Sequence, residues 1–235
     1  MRIDKLNYEF LTAWFDNLKN NTQPLDETYG VGSRSSSPAS LSKASRTSSS
    51  SWMKSRQIAQ IISHCGCSLL IEMGTNLGKA TSVIASLVPQ LDIHTIEAQK
   101  EYWAHAKKLF DSMKLNQIHT YNCLFQDFLD SRQDIIEHAD AFFIDGDHSY
   151  TATLNIFNRV YQKNRFGVYI IDDIYWSQGM TKAWKEITEG LDQHVQIVDF
   201  FNYGLIIRSE NFTGKSYTPF IAKKWKPLSN WGLKA

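Results

Sequence analysis

Short apolar segments alternate with amphipathic segments along most of the chain, from residue 52 to residue 209. The apolar segments have the length of β-strands, and the segments between them repeat apolar residues at helical spacing. Alternation of this kind is typical of a parallel sheet whose two faces are both covered by helices. It predicts an α/β fold for this chain of 235 residues.

The pattern predicts seven strands and seven helices. The strands cover residues 68–73, 91–97, 118–122, 140–145, 167–173, 194–201 and 203–209. The helices cover residues 3–19, 52–65, 79–88, 99–113, 132–139, 151–163 and 180–191. The last two strands have almost no connection, so they must pair antiparallel, because a parallel crossover needs a dozen or more residues. We therefore expect a seven-stranded, mostly parallel sheet with a reversed last strand and helices on both faces.

Polar residues stand where several of these strands end. The segment FFIDGDHSY (142–150) is an apolar run that stops at Asp145, Asp147 and His148. Ligands of open parallel sheets bind beyond the carboxyl ends of the strands. The pattern therefore predicts that these side chains lie at a ligand site.

A glycine-containing turn follows the strand at 68–73, in the segment IEMGTNLGKAT. Gly74 and Gly78 would let a ligand approach the backbone beside a helix N-terminus. The dinucleotide fingerprint G-x-G-x-x-G is absent, because Asn76 stands where its second glycine would be. Glu97 ends the next strand, where a carboxylate can accept hydrogen bonds from ribose hydroxyls. A solvated charge at the strand end is the alternative for Glu97.

The segments IEMGTNLG, HTIEA, FQDFL, DAFFIDGDHSY and YIIDD stand in the order found in class I S-adenosylmethionine-dependent methyltransferases. The resemblance covers roughly residues 52–209 and implies a Rossmann-like fold. The chain is most similar to the small-molecule O-methyltransferase branch, which includes the catechol, caffeoyl-coenzyme A and macrolide-sugar O-methyltransferases. It also resembles bacterial members of that branch with a GAGSR-like N-terminal segment, to which GVGSR (30–34) is similar.

The resemblance implies that the cofactor is S-adenosylmethionine. The turn from Gly74 to Gly78 would pass under its methionine part, Glu97 would hold its ribose hydroxyls, and Gln126 would lie near its adenine. The full set of cofactor-binding residues carried over from the family is Glu72, Gly74, Thr75, Asn76, Gly78, Glu97, Gln126, Asp127 and Asp145.

The resemblance also implies a divalent-metal site and a catalytic base. Asp145, Asp172 and Asp173 match the metal ligands of the metal-dependent members, and Mg²⁺ prefers such oxygen ligands. Capping of the following turn is the alternative for Asp172 and Asp173. His148 stands where that branch carries a catalytic Lys, so the identity of the base departs from the family pattern. Histidine is a side chain suited to proton removal near neutral pH, so His148 would be the base, with Asp145 as the second catalytic residue. A hydrogen bond within its own loop is the alternative for His148.

The sequence divides into three parts. Residues 1–51 form an N-terminal helix and a serine-rich loop that acts as a cap or lid, residues 52–209 the cofactor-binding domain, and residues 210–235 a tail. Eleven of the nineteen residues from Ser33 to Ser51 are serine, a composition typical of a linker or mobile loop.

These observations predict a methyltransferase that acts on an oxygen of a small-molecule acceptor, with Mg²⁺ as an optional cofactor. There are two alternatives: a non-catalytic protein that binds S-adenosylmethionine or a nucleotide, and a nucleotide-dependent oxidoreductase on a related fold.

A net charge of +1 and the absence of an N/D-P-P-Y motif argue against nucleic acid as partner. No run approaches ~20 apolar residues, so we expect no membrane span and a cytoplasmic protein. The sequence does not determine the oligomeric state, and the N-terminal helix and the tail could both form the interface of a homodimer.

Overall fold

The computed structural model describes residues 3–22, 40–47, 51–164, 166–191 and 194–219. The segment GVGSR (30–34), most of the serine-rich stretch and the tail from residue 220 lie outside the described residues.

The described residues form one eight-stranded sheet in the order β3-β2-β1-β4-β5-β7-β6-β8. Its strands are β1 (Leu69–Met73), β2 (Asp92–Ile96), β3 (Ile118–Tyr121), β4 (Ala141–Ile144), β5 (Gly167–Asp172), β6 (Val195–Asp199), β7 (Tyr203–Arg208) and β8 (Lys215–Thr218). The first five strands run parallel, whereas β7 is antiparallel to both β5 and β6. The predicted α/β sheet with a reversed strand is confirmed.

Nine helices accompany the sheet in the described part of the chain. They are α1 (Lys5–Leu18), α2 (Leu41–Thr47), α3 (Trp52–His64), α4 (Lys79–Leu87), α5 (Lys100–Ser112), α6 (Phe125–Ser131), α7 (Gln133–His138), α8 (Tyr150–Lys163) and α9 (Gln178–Gly190). All seven predicted helices are present, with ends that shift by at most two residues from the expected ones.

Two apolar cores cover the two faces of the sheet. Successive residues of β1 point to opposite faces, so Leu70 lies in one core and Ile71 in the other. The first core takes buried residues from α1 to α5, and the second takes them from α6 to α9. Because both faces are buried, the central strands are apolar without alternation. The helices lie on both faces, as the sequence predicted.

The sheet has eight strands where the sequence predicted seven. The added strand β8 pairs parallel with β6, and all four of its residues are exposed. An exposed edge strand of Lys, Ser, Tyr and Thr has no apolar alternation, so the pattern could not predict it. It lies within the segment expected to be a tail.

Helix α2 lies within the serine-rich segment expected to be a loop. Leu41 and Ala44 are fully buried against α1 and the first core. Its start is joined to α1 by Ser42, whose hydroxyl donates to the carbonyl of Lys19 at 2.6 Å. Two apolar residues on one turn are enough to dock a short helix, although the surrounding composition indicates disorder.

Along the described residues, every helix is too short or too polar to cross a membrane.

Candidate active site

The turn from β1 to α4 brings the backbone of two strands together. Gly74 has φ +115°, and a Cβ at this position would lie 2.0 Å from the carbonyl oxygen of Asp145. Gly78 has φ +79° and precedes α4, where a Cβ would lie 2.8 Å from the ring of Phe110. Both positions therefore require glycine, for the backbone angle and for the close approach. Asn76 between them also has a left-handed backbone, with φ 49°.

Glu72 lies beneath this turn and is completely buried. Its Oε2 accepts hydrogen bonds from the hydroxyls of Thr81 at 2.5 Å and Thr95 at 2.6 Å. The hydroxyl of Thr75 is in turn 2.5 Å from that of Thr95. Burial raises the pKa of Glu72 to about 7, although the two hydroxyl donors oppose that rise. The second carboxyl oxygen, Oε1, is buried and has no hydrogen-bond partner.

Glu97 follows β2 and is held by backbone amides. Its Oε2 accepts from the N–H of Asn76 at 2.7 Å, and its Oε1 accepts from the N–H of Gln99 at 2.9 Å. Burial raises the pKa of Glu97 to about 7, against the effect of these amide donors. The structure thus brings Glu97 to the glycine turn, as the sequence predicted, through a contact between two different strand ends.

Gln126 and Asp127 lie on the exposed side of α6. The amide of Gln126 donates to Asp130 at 3.1 Å and accepts from Asn155 at 3.1 Å. Asp127 lies in the first turn of the helix and is exposed. Their proposed place near an adenine stays a prediction.

Asp145 follows β4 directly and is anchored by its backbone. Its N–H donates to the carbonyl of Met73 at 2.8 Å, which ties the ends of β4 and β1 together. Gly146 then passes so close to Phe125 that a Cβ would lie 2.5 Å from that ring. Burial raises the pKa of Asp145 to about 6, while the ammonium of Lys54 acts in the opposite direction.

Two consecutive left-handed residues turn the chain after Gly146. Asp147 has φ 59° and His148 has φ 27°, which are strained angles for side chains other than glycine. The turn points His148 back along the strand end, so that its Nε2 lies 3.7 Å from Oδ1 of Asp145. The ring of His148 lies 6.3 Å from that of Trp176. The structure therefore brings the two predicted catalytic residues side by side.

Asp172 ends β5 and forms an ion pair that the sequence analysis did not predict. Its Oδ2 lies 2.5 Å from Nζ of Lys54, and the two side chains are 2% and 15% exposed. Burial raises the pKa of Asp172 to about 7, and repulsion from Asp145 adds to the rise. Burial alone would lower the pKa of Lys54, but Asp172, Asp145 and Asp173 together hold it above its ordinary value. Lys54 is therefore charged.

Asp173, the third predicted metal ligand, serves the turn after β5. It has φ 51°, its N–H donates to the carbonyl of Asn202 at 2.8 Å, and its carbonyl accepts from Trp176 at 2.8 Å. Asp145, Asp172 and Asp173 do not form a three-ligand cluster. Among the described residues, the cluster with metal-ligand spacing is Asp92, His94 and His119, on β2 and β3.

The oxygen-rich set at Asp145 and Asp172 has suitable chemistry for Mg²⁺, but the ammonium of Lys54 already contacts Oδ2 of Asp172 and neutralises one of the two carboxylates. As they stand, these residues do not fit a divalent ion.

One feature of the sequence could have indicated that Lys54 lies at this site. A helix that precedes a parallel strand starts at that strand's carboxyl edge, and Lys54 lies in the first turn of α3, which Ser51 caps.

Four aromatic residues stand close in sequence to the ends of β4 and β5, namely Tyr150, Tyr175, Trp176 and Trp184, and three of them are engaged elsewhere. The hydroxyl of Tyr150 donates to Glu186, that of Tyr175 donates to Asp199, and Trp184 is buried against Gly204. Trp176 is the one that lies beside His148.

Comparison with known proteins gives a match over the central part of the chain. Residues 71–174 match the family model described as a methyltransferase domain. That range contains the glycine turn, Glu97, the Asp145–His148 segment and the end of β5. The match confirms the resemblance to methyltransferases that was drawn from the sequence. No curated protein matches the chain as a sequence relative.

Solved structures share the fold over most of the chain. An O-methyltransferase from Bacillus cereus in complex with SAH is 19% identical, with a TM-score of 0.59 over 89% of this chain and 93% of that one. Cofactor-bound Rv0187 from MTB is 15% identical, with a TM-score of 0.62 over 88% of this chain and 92% of that one. The O-methyltransferase TomG from Streptomyces achromogenes, in complex with SAM, is 15% identical, with a TM-score of 0.57 over 68% and 82%. At these identities the likeness concerns the fold.

Proposed function

We propose that this protein is an S-adenosylmethionine-dependent methyltransferase that methylates an oxygen of a small-molecule acceptor. The observation that carries the proposal is the glycine turn joined to the end of β4 inside the matched methyltransferase segment, with Glu97 held against it. Solved neighbours with the same fold include O-methyltransferases in complex with SAM and with SAH.

The cofactor half of the site consists of the ends of β1 and β2. Glu97 keeps an unused acceptor position, because a carboxylate has about four lone-pair sites and the backbone amides of Asn76, Gln99 and Ala98 occupy three of them. It can therefore still accept from a ribose hydroxyl. Gly74 leaves the space that a Cβ would fill, and the buried, unpartnered Oε1 of Glu72 faces no protein donor. These features fit a nucleoside with a positively charged amino-acid tail.

When bound, S-adenosylmethionine supplies a methyl group that its sulfonium already activates, so the protein mainly has to position an oxygen nucleophile. In this proposal His148 accepts the proton of the acceptor hydroxyl at Nε2. Asp145, 3.7 Å from that nitrogen, would stabilise the imidazolium that forms. The left-handed turn at Asp147 and His148 sets the position of the ring at the strand end.

The acceptor half contains the ends of β4 and β5 and the start of α3. We propose no step through a metal, because Lys54 already balances the carboxylate of Asp172. The assignment of residues 1–51 as a cap also stays a proposal. It is supported by α1, whose Leu11, Phe15 and Leu18 pack into the first core.

Calorimetric titration with SAM and SAH tests the cofactor assignment. We expect micromolar binding, and a loss of at least tenfold in affinity for Glu97→Ala, since hydrogen bonds to a charged group contribute about 1.5–3 kcal/mol. Glu189→Ala, which removes an exposed carboxylate at the end of α9, is the matched control. Folded, cofactor-free protein that binds neither compound would contradict the proposal.

A screen of hydroxyl-bearing acceptors, with SAH release as the readout, tests the activity. With an acceptor in hand, His148→Ala should lower kcat by about 10²–10⁴-fold. Full turnover by His148→Ala would remove the base from the mechanism. SAH binding without turnover for any acceptor would favour the non-catalytic binding protein.

A further inference from the structure

Lys54 reaches the carboxyl edge of the sheet from a distant part of the chain. It lies in the first turn of α3 and pairs with Asp172, 118 residues later, at 2.5 Å. Asp172 is 2% exposed and Lys54 is 15% exposed, so solvent screens the pair only weakly. A buried pair of this kind is costly to desolvate, and a short contact with good geometry is needed to offset that cost.

The groups around Lys54 come from every strand end that it faces. Asp145 follows β4, Asp172 ends β5 and Asp173 follows it, and all three carboxylates attract the ammonium. Tyr203 on β7 is the register partner of Asp172, and its buried hydroxyl has no hydrogen-bond partner. Among the described residues, Lys54 is the cation that acts on these groups, and it lies beside the carboxylates of Asp145 and Asp172 that a divalent metal would need as ligands.

A divalent ion and this ammonium cannot share the site at low cost. Mg²⁺ requires near-octahedral oxygen ligands at about 2.0–2.1 Å, including both carboxylates. An ammonium 2.5 Å from Asp172 would lie within a few ångströms of that ion and repel it. Metal binding would therefore require Lys54 to leave the pair.

We propose that the Lys54 ammonium takes the place of the divalent ion, so that this acidic site takes no metal while Lys54 is present. Within the proposed methyl transfer, on which this part rests, Lys54 is a positioning residue. It fixes Asp172 and keeps the neighbouring Asp145 oriented toward His148 without any metal ion. The exclusion of the metal depends only on the contacts of Lys54 and stands whether or not the protein transfers methyl groups.

Titration of purified protein with Mn²⁺ alone, followed by calorimetry and by the electron paramagnetic resonance of free Mn²⁺, tests the proposal. The wild type should show no Mn²⁺ site that depends on Asp172. Lys54→Ala should gain one site, at least tenfold tighter than any wild-type binding, and adding Asp172→Asn should remove it. Arg56→Ala removes an exposed positive charge from the same helix and should gain no site.

Lys54→Gln repeats the test with a side chain that is neutral but can still donate to Asp172, in case Lys54→Ala does not fold. A stoichiometric Mn²⁺ site in the wild type that Asp172→Asn abolishes would overturn the proposal. Folded Lys54→Ala or Lys54→Gln that gains no Mn²⁺ site would also overturn it, because the ion pair would then be merely structural.

SAH titration of the same preparations separates this proposal from the proposed function. If the protein binds SAH and the wild type also has a Mn²⁺ site, the proposed role of Lys54 is contradicted and the methyltransferase proposal is unaffected. If the protein does not bind SAH but Lys54→Ala gains the expected Mn²⁺ site, the methyltransferase proposal is contradicted and the proposed role of Lys54 in excluding the metal is supported.

Discussion

The two halves of the candidate active site hold their buried carboxylates in different ways. At the ends of β1 and β2, Glu72 and Glu97 are held by neutral donors, namely threonine hydroxyls and backbone amides. At the ends of β4 and β5, Asp145 and Asp172 lie near the ammonium of Lys54. Burial raises the pKa of all four carboxyls, to between about 6 and about 7.

The two halves differ in how much negative charge remains available to a ligand. Neutral donors orient a carboxylate without cancelling its charge, so the cofactor half can still attract a cationic, hydroxyl-rich molecule. In the acceptor half a protein cation already balances much of the charge. The cofactor half can thus bind a positively charged ligand, whereas the charges of the acceptor half mainly fix the positions of its own side chains.

The largest effect should come from removing the cation of the acceptor half. Lys54→Ala leaves a buried carboxylate unpaired, and we expect a loss of about 3–5 kcal/mol in the free energy of unfolding at pH 7.5, measured with urea. Lys107→Ala breaks the exposed pair with Asp111 and should cost less than about 1 kcal/mol. Equal losses for the two variants would mean that burial does not distinguish these pairs.

A smaller but still large effect should follow from closing the space at the glycine turn. Gly74→Ala places a Cβ against the carbonyl oxygen of Asp145 at a backbone angle that alanine avoids. We expect a cost of about 3 kcal/mol in the free energy of unfolding and the loss of measurable SAH binding.

Gly190→Ala is the matched control for this substitution. A Cβ there meets nothing within 4 Å, at the end of α9, so the change should be neutral or slightly stabilising. Normal SAH affinity in Gly74→Ala would show that the cofactor half does not need the close backbone approach.

The third prediction concerns pH and the neutral donors of the cofactor half. The pKa of Glu72 is raised from 4.5 to about 7 by burial, so between these values the native state binds a proton that the unfolded chain has released. The contribution of Glu72 to stability therefore falls as pH rises from about 4.5 to about 7.

Glu72→Gln should remove that fall. We expect the variant to be more stable than the wild type by about 3 kcal/mol at pH 8 and equal to it at pH 4.5, by urea unfolding at both values. Glu189→Gln, at an exposed position on α9, is the control. A difference that does not change with pH would show that the Glu72 carboxyl ionises alike in the folded and unfolded chain.

The order of elements and the strand ends could be predicted from the sequence. All seven predicted strands and all seven predicted helices are present, because apolar periodicity reports local burial directly. The tight connection between β6 and β7 fixed their antiparallel pairing. The methyltransferase resemblance, carried by Gly74, Glu97 and Asp145, is confirmed by the match over residues 71–174.

Only the tertiary structure decided which charges meet. Lys54 lies in the first turn of α3 and nothing near it in sequence indicates a partner, yet the start of α3 meets the end of β5 across 118 residues. Strand β8 and helices α2 and α6 were likewise missed, since β8 is a polar edge and the two helices are only seven residues long. Local periodicity determines which elements form and which face is buried. The pairing of charges between distant elements is set by packing. The sequence around Asp145, Asp172 and Asp173 therefore could not predict whether these residues contact a metal ion or a lysine.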